Sequence, residues 1–590
     1  MQSRRLIRYA FMAAVLLGFA MTESHLDAQR QAPPAAPVER AQARSMVITQ
    51  DGIVAAESPL AAQAGVEMLK RGGNAVDAAI AANAVMGVVA PMSNGIGGDL
   101  FVIYYDAKSG KLYGLNASGP SPAALNAQLL REKYSYREMP LRGIHSVTVP
   151  GAVDGWQKLL DRFGTKKFPE VLAPAIRVAE QGFPVTEWVS NLWVNNADVL
   201  RKNDEAVHVY LNNDQPMRTG QLFKNPDLAA SLRLIAAGGR DAFYKGELAH
   251  KFVQLSQKLD GVMTLSDLAA YSSEWVEPIS TTYRGWTVYE LPPNGQGVAA
   301  LEMLNIMETF PLQQAPPPTG QPAQPPQFGL NQTRTLHMMI EAKKLAYADL
   351  EKYIGDPKNN PAVLQAAMTM IQKPYAAKRA QSIDMDKANC AVEPGTPLAP
   401  GGDTIYLSAV DREGNMVSLI QSNYENFGSG LVAPGTGFVL HDRGALFNLD
   451  DSSPNVLAGN KRPLHTIIPA FMEQGSVRIA FGIMGGWNQA QAHAQFVSHV
   501  VDYKQNIQLA METARFTKGT FGGCDVELEN RIPGNVRAEL EAKGHKLEMR
   551  NGYSNRFGGG QAVMRDFAAK VNYGASDPRK DGAAVPELPF

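Results

Sequence analysis

Gly401-Gly402-Asp403-Thr404-Ile405-Tyr406-Leu407-Ser408-Ala409-Val410-Asp411 is the stretch on which the reading of this chain turns. A Pro/Gly-rich approach over residues 392–402 runs into an alternating strand headed by Thr404. Arg412-Glu413-Gly414-Asn415 is a turn, and residues 416–422 alternate again, so the pattern predicts a β-hairpin. Centred near Glu413, that hairpin puts Thr404 opposite Ser422 or Asn423, with Cβ atoms roughly 4.5–5.5 Å apart. Such a threonine has an ordinary use, as a polar strand residue after a glycine loop. It also has a chemical one. Its hydroxyl can attack the Asp403 carbonyl and cut the chain, and the same hydroxyl, now beside a free α-amine, is a nucleophile with its own base. The local pattern alone does not separate the two.

Further along, Phe427-Gly428-Ser429-Gly430 closes the second strand, and Gly482-Ile483-Met484-Gly485-Gly486-Trp487 opens a helix predicted over residues 488–503. The N–H groups of a glycine pair at a helix start can bind a developing oxyanion. A tight strand-to-helix turn is the commoner use of Gly-Gly. Upstream, residues 60–70 and 75–89 carry helical periodicity around the turn Gly72-Gly73-Asn74. The glycine loop at residues 94–99 precedes the strand 100–105, the wrong order for a dinucleotide fold. Residues 154–182 read as helical and 336–353 as a strong amphipathic helix. The Pro/Gln-rich insertion at 312–328 reads as an exposed loop, and 373–402 as a loop without periodicity.

With 590 residues the chain can bury a large core. Its 56 basic and 57 acidic residues give a net charge of −1 with no basic block, which argues against nucleic acid as a partner. Arg4, Arg5 and Arg8 precede an apolar run at residues 10–21 that is short for a bilayer span. This is the pattern of an export signal, with an uncleaved anchor as the alternative. The expectation is a signal peptide and the start of a polar linker at 1–28, no membrane span after its removal, and a periplasmic or secreted protein. Export permits a disulfide between the two cysteines, Cys390 and Cys524, but spacing does not decide it. No HExxH or CxxC spacing supports a metal site, and no cofactor is called for.

The chain resembles the γ-glutamyltransferase family of N-terminal-nucleophile hydrolases, in motifs that keep the family's order over roughly residues 46–580. Before Thr404 these are Gly72-Gly73-Asn74-Ala75-Val76-Asp77-Ala78-Ala79, Val149-Pro150-Gly151-Ala152-Val153-Asp154-Gly155-Trp156, Leu291-Pro292-Pro293-Asn294-Gly295-Gln296-Gly297 and Glu341-Ala342-Lys343-Lys344-Leu345-Ala346-Tyr347-Ala348-Asp349. After it come Ser408-Ala409-Val410-Asp411-Arg412-Glu413-Gly414-Asn415, Asn460-Lys461-Arg462-Pro463-Leu464, Gly485-Gly486 and Tyr573-Gly574-Ala575-Ser576-Asp577-Pro578-Arg579. The resemblance implies an α+β fold, a four-layer αββα sandwich with two central antiparallel sheets. It also implies a precursor that cuts itself at Asp403–Thr404 into a large subunit (46–403) and a small one (404–590), which stay together as one αββα unit. Thr404 takes the nucleophile's place, Ser422 that of the residue orienting it, and Gly485 and Gly486 that of the oxyanion donors. The substrate is then a small-molecule amide.

The pocket departs from the family pattern. The position of the arginine that holds a glutamate α-carboxylate reads as Asn116. The Ser-Ser pair reads as His465-Thr466, the acidic amine-binding position as Leu446, and its Gln neighbour as Arg443. The asparagine two residues after the Ser422 position reads as Tyr424, with Asn423 beside it. Ile405-Tyr406 follows the nucleophile in place of a small residue and His. A charged amino-acid head group needs charge-assisted partners worth about 1.5–3 kcal/mol each, so γ-glutamyl recognition should weaken. Arg443 is free to bind a plain carboxylate, as in a glutaryl-type acyl group, or is a surface cation paired with Asp442 or Asp450. His465 reads as a hydrogen-bonding pocket residue or, alternatively, a base. His493 and His499 read as packing or surface residues. The expected activity is that of an exported, self-processing amide hydrolase or acyltransferase acting on a γ-glutamyl- or glutaryl-type acyl group. The alternatives are a glutathione-cleaving enzyme with a remodelled pocket and a non-catalytic binding protein that keeps the fold.

Overall fold

The structure is a computed structural model that describes residues 41–312, 328–392 and 403–588. The signal-like segment, most of the Pro/Gln-rich insertion and the approach to Asp403 lie outside the described residues, as does the Asp403 side chain. Residues 44–588 belong to one compact unit.

Among the described residues, two seven-stranded sheets lie at its centre. One runs Ala583–Pro586, Ile53–Ala56, Asp403–Val410, Met416–Tyr424, Asp99–Asp106, Lys111–Ala117, Glu274–Val276. The other runs Val47–Thr49, Val571–Ser576, Gly560–Asp566, Val477–Ile483, Ala470–Gln474, Trp286–Glu290, Ile279–Tyr283. Every pairing within them is antiparallel. Strand periodicity sorts the side chains into layers. Ile405, Leu407 and Ala409 enter a core shared with the helices Pro59–Lys70, Ala75–Val89 and Ala152–Phe163. Tyr406 and Val410 instead meet Phe471, Ala480 and Val563 of the second sheet. That sheet's outer face packs on Gly297–Glu308, Thr333–Tyr353 and Gln489–Val501. Helix, sheet, sheet, helix is the αββα sandwich, with the hairpin bearing Thr404 in the middle of its sheet.

Local chemistry explains the motif segments. Asn74 caps Ala75–Val89, and Asp77 completes the capping box. Asp77 also accepts from Thr165 N and Lys166 N, so its buried carboxylate is saturated. The helix itself is Ala-rich and buried almost throughout, because small side chains let it lie close to its neighbours.

Three expectations change. Residues 154–182 are not one helix but Ala152–Phe163, Phe168–Val171 and Ala173–Gln181, broken at Gly164 and restarted at prolines in the first turns. The 336–353 helix spans Thr333–Tyr353 and is buried on nearly all sides, so its polar residues serve inside. Lys344 Nζ pairs with Glu341 at 2.7 Å, and Lys343 Nζ lies 4.0 Å over the Tyr347 ring. Within 373–402, Lys373–Ala380 is helical. Cys390 and Cys524 form a disulfide.

The gap between the sheets is filled by contact of ring against backbone. A Cβ at Gly482 would sit 2.4 Å from the buried Tyr406 ring. Gly482→Ala should therefore overpack this layer and cost about 1–3 kcal/mol, read as a lower urea midpoint. An unchanged midpoint would show that the two sheets are not in register here.

Candidate active site

Thr404 and Ser422 face each other across the hairpin. The register is regular from Val410↔Met416 to Ile405↔Gln421, then shifts so that Asp403 pairs with Tyr424. Ser422 and Asn423 thus both oppose Thr404, the two-against-one arrangement of a β-bulge. Thr404 Oγ1 donates to Ser422 Oγ at 3.1 Å, and Tyr424 N–H donates to the same oxygen at 2.7 Å. Both hydroxyl residues are buried. Tyr424 has φ 74°, a left-handed conformation that costs a bulky residue about 1–3 kcal/mol. Its bond to Ser422 and the Arg443 guanidinium 4.9 Å over its ring oppose that cost.

Thr404, Tyr406 and Ser408 share the face turned to the second sheet. Tyr406 lies against Gly482, while Ser418, opposite Ser408, donates to Phe481 O at 3.4 Å. The facing strand at Phe481 and Gly482 therefore lies over this part of the hairpin and runs on to the glycine pair. Gly485 and Gly486 have φ 122° and 58°, positive values that favour glycine. Among the described residues their N–H groups have no acceptor. Asn488 N–H donates to Gly485 O at 3.0 Å and its Nδ2 to Met484 O at 3.4 Å. In a planar trans peptide the N–H points opposite to the C=O, so both glycine N–H groups are turned away from Asn488.

A buried charge network lies beside the hairpin. Asp99 pairs in register with Ser422 on the neighbouring strand. Its carboxylate lies 2.8 Å from His465 Nε2, 3.3 Å from His441 Nδ1 and 3.5 Å from Arg443 Nε. Burial opposes ionisation of Asp99, but His441 and His465 outweigh it and hold the carboxyl well below its usual range. Burial, with the Arg443 charge, pushes His465 down to about 3, so it is a neutral donor to Asp99. Its Nδ1 accepts from Ile467 N–H. That leaves no lone pair for a base, and His465 is a support for Asp99. Arg443 is fully buried and donates through Nη1 to Thr466 Oγ1 at 2.7 Å, while its Nη2 has no partner among the described residues. It is neither a surface cation nor paired with Asp442, whose carboxylate lies 3.5 Å from Arg142.

Two expected pocket residues sit elsewhere. Asn116 bonds Asn294 and Ser118 and lines a separate cleft with Asp356 and Arg462. Asn423, the second residue of the bulge, is buried and donates through Nδ2 to Pro91 O at 3.1 Å. His493 and His499 are buried, not surface, and His493 accepts from Ile483 N–H just before the glycine turn. Tyr424, Leu446, Phe447, Leu464 and Phe521 line a cleft of about 760 Å³. Asp99, His441 and Asn488 were missed by sequence reasoning. For Asp99 the signal was a lone charge heading an otherwise apolar strand.

His337, Glu341 and His545 come close enough to hold a cation. Their atoms are already used, however. His337 Nε2 reaches Asp384 O, its Nδ1 lies 2.8 Å from His545 Nε2, and Glu341 binds Lys344.

The gamma-glutamyltranspeptidase family profile matches residues 61–587. The chain is 34% identical over 546 residues to the glutathione hydrolase-like YwrD proenzyme of Bacillus subtilis, covering 91% of this chain and 99% of that one. It is 32% identical over 550 residues to the oxamate amidohydrolase proenzyme of Klebsiella pneumoniae, with 91% and 99% covered. Among solved structures, cephalosporin acylase from Bacillus halodurans is similar with a TM-score of 0.84 at 37% identity, over 95% of this chain and 100% of that one.

Asp99→Asn removes the counter-charge of a buried guanidinium. It should cost about 3–5 kcal/mol, and adding Arg443→Met should recover much of the loss. Chemical denaturation of the two variants reads this directly. Equal stability of Asp99→Asn and parent would dissolve the pairing.

Proposed function

The chain belongs to the gamma-glutamyltranspeptidase family, and on that premise we propose that it is an exported, self-processing amide hydrolase or acyltransferase whose nucleophile is Thr404. The observation that carries this reading is the Thr404 Oγ1–Ser422 Oγ hydrogen bond at the head of the hairpin. Scission of Asp403–Thr404 releases the Thr404 α-amine next to its own hydroxyl. The amine takes the hydroxyl proton, directly or through water, as Oγ1 attacks the substrate carbonyl. Ser422 holds Oγ1 in place. The Gly485 and Gly486 N–H groups receive the oxyanion, a contribution of about 10²–10³ in rate per donor. The Thr404 α-ammonium passes that proton to the substrate nitrogen, which leaves as the free amine, and water or an acceptor amine then releases the acyl group from Thr404.

The acyl group proposed is one bearing a carboxylate without the α-amine of glutamate. Arg443 has a donor to spare, and Leu446 stands where an amine-binding acid is expected. The relative named for oxamate, an amide with a bare carboxylate, agrees with this. The second reading, a glutathione hydrolase with a remodelled pocket, is favoured by the name of the YwrD relative. The basic and apolar N-terminus and the Cys390–Cys524 disulfide support export into an oxidising compartment.

Glutaryl and γ-glutamyl anilides separate the readings, and the glutaryl compound should turn over faster. Faster γ-glutamyl cleavage would reject the Arg443 assignment. The disulfide spans the proposed cut, so a denaturing gel should show two chains only after reduction, the smaller beginning Thr-Ile-Tyr-Leu-Ser. Thr404→Ala should remain one inactive chain under both conditions, and a cut Thr404→Ala protein would remove Thr404 from the reaction.

A further inference from the structure

The two ends of the proposed acyl site are tied together by one side chain. Gln296 is fully buried at the start of Gly297–Glu308. Its Nε2 donates to Thr466 O at 2.5 Å and to Gly486 O at 2.9 Å, which uses both amide hydrogens. Its backbone N–H donates to His465 O at 3.0 Å. Tyr347 Oη, whose single proton goes to Trp487 O, lies 3.3 Å from its Oε1. Gln296 thus clamps the glycine turn and the 465–466 segment to one another.

Thr466 is the residue whose hydroxyl accepts from Arg443 Nη1. The bonded path therefore runs from Gly486 through Gln296 and Thr466 to Arg443. One end of that path is the proposed oxyanion site. The other is the guanidinium with an unpartnered Nη2. A substrate held at both ends must have a carbonyl-to-carboxylate span equal to the separation the path enforces.

We propose that Gln296 is a positioning residue that fixes the distance between the oxyanion glycines and Arg443 and so selects the length of a dicarboxylic monoacyl group. The inference rests on the acyl-site reading above and adds to it a ruler. Gln296 touches neither the reacting atoms nor Arg443. It acts through Gly486 and Thr466.

The test is a series of succinyl, glutaryl and adipyl anilides, with kcat/KM measured for each. The parent should favour one length over its neighbours by about 10-fold or more, the usual worth of one methylene in a fitted site. Gln296→Met, similar in length but without donors, should flatten this ranking, with the favoured anilide losing most. Should Gln296→Met not fold, Tyr347→Phe, which deletes only the hydroxyl behind Gln296, should flatten it in part. A uniform fall across the series in Gln296→Met, or an unchanged ranking in Tyr347→Phe when that variant stands in, overturns the ruler, because a support of merely structural kind lowers all three alike. A parent that cleaves none of the three but cleaves γ-glutamyl anilide overturns the acyl-site reading instead, and the ruler with it.

Discussion

The bulge opposite Thr404 is the constraint on which the site depends. In an unbroken ladder Thr404 would face Ser422 alone and Asp403 would face Asn423. The added residue pushes Tyr424 into a left-handed conformation and brings its N–H onto Ser422 Oγ, so that one oxygen receives both Tyr424 N–H and Thr404 O–H. A hydroxyl that accepts two bonds is fixed in direction, and it fixes the Thr404 rotamer in turn. The same bend turns the Tyr424 ring under Arg443. The geometry of Thr404 and the placement of Arg443 over Tyr424 thus come from one irregularity in one hairpin.

Around it the interior is more polar than a sandwich of this kind needs for stability alone. Asp99, His441, His465 and Arg443 are all fully buried. Taking the Asp99 and Arg443 charges out of water costs several kcal/mol per ion. Their mutual bonds return part of that, and Arg443, held by Asp99 and Thr466, is left with an Nη2 that has no partner among the described residues.

Much of this was legible in the sequence, and the misses have physical causes. The alternation of residues 404–411 and 416–422 gives the hairpin, and turn geometry alone brings Thr404 to Ser422. The bulge left no such trace: strict period two fails at Ser422–Asn423, where two residues oppose Thr404, so the direction of Asn423 could not be read from the strand pattern. Asn116 fails for a different reason, because alignment to a motif gives a place on the backbone and not the direction of the side chain. Asp99 with His441 and Gln296 with Gly486 join residues far apart in the chain, and such pairings leave no periodic trace. The helix over Lys373–Ala380 is short and Lys-rich, without the apolar stripe that reveals longer ones.

Both central sheets draw strands from either side of residue 404. Asp403–Val410 and Met416–Tyr424 are wedged between Ile53–Ala56 and Asp99–Asp106. A polypeptide beginning at Thr404, made by itself, would carry this hairpin bare along both margins. Its counterpart would hold an empty slot. Unpaired margins of this sort stick to any strand they meet. If the chain is cut at Asp403–Thr404 as proposed, the two pieces are already interleaved strand by strand when the cut is made, and it trims a finished object.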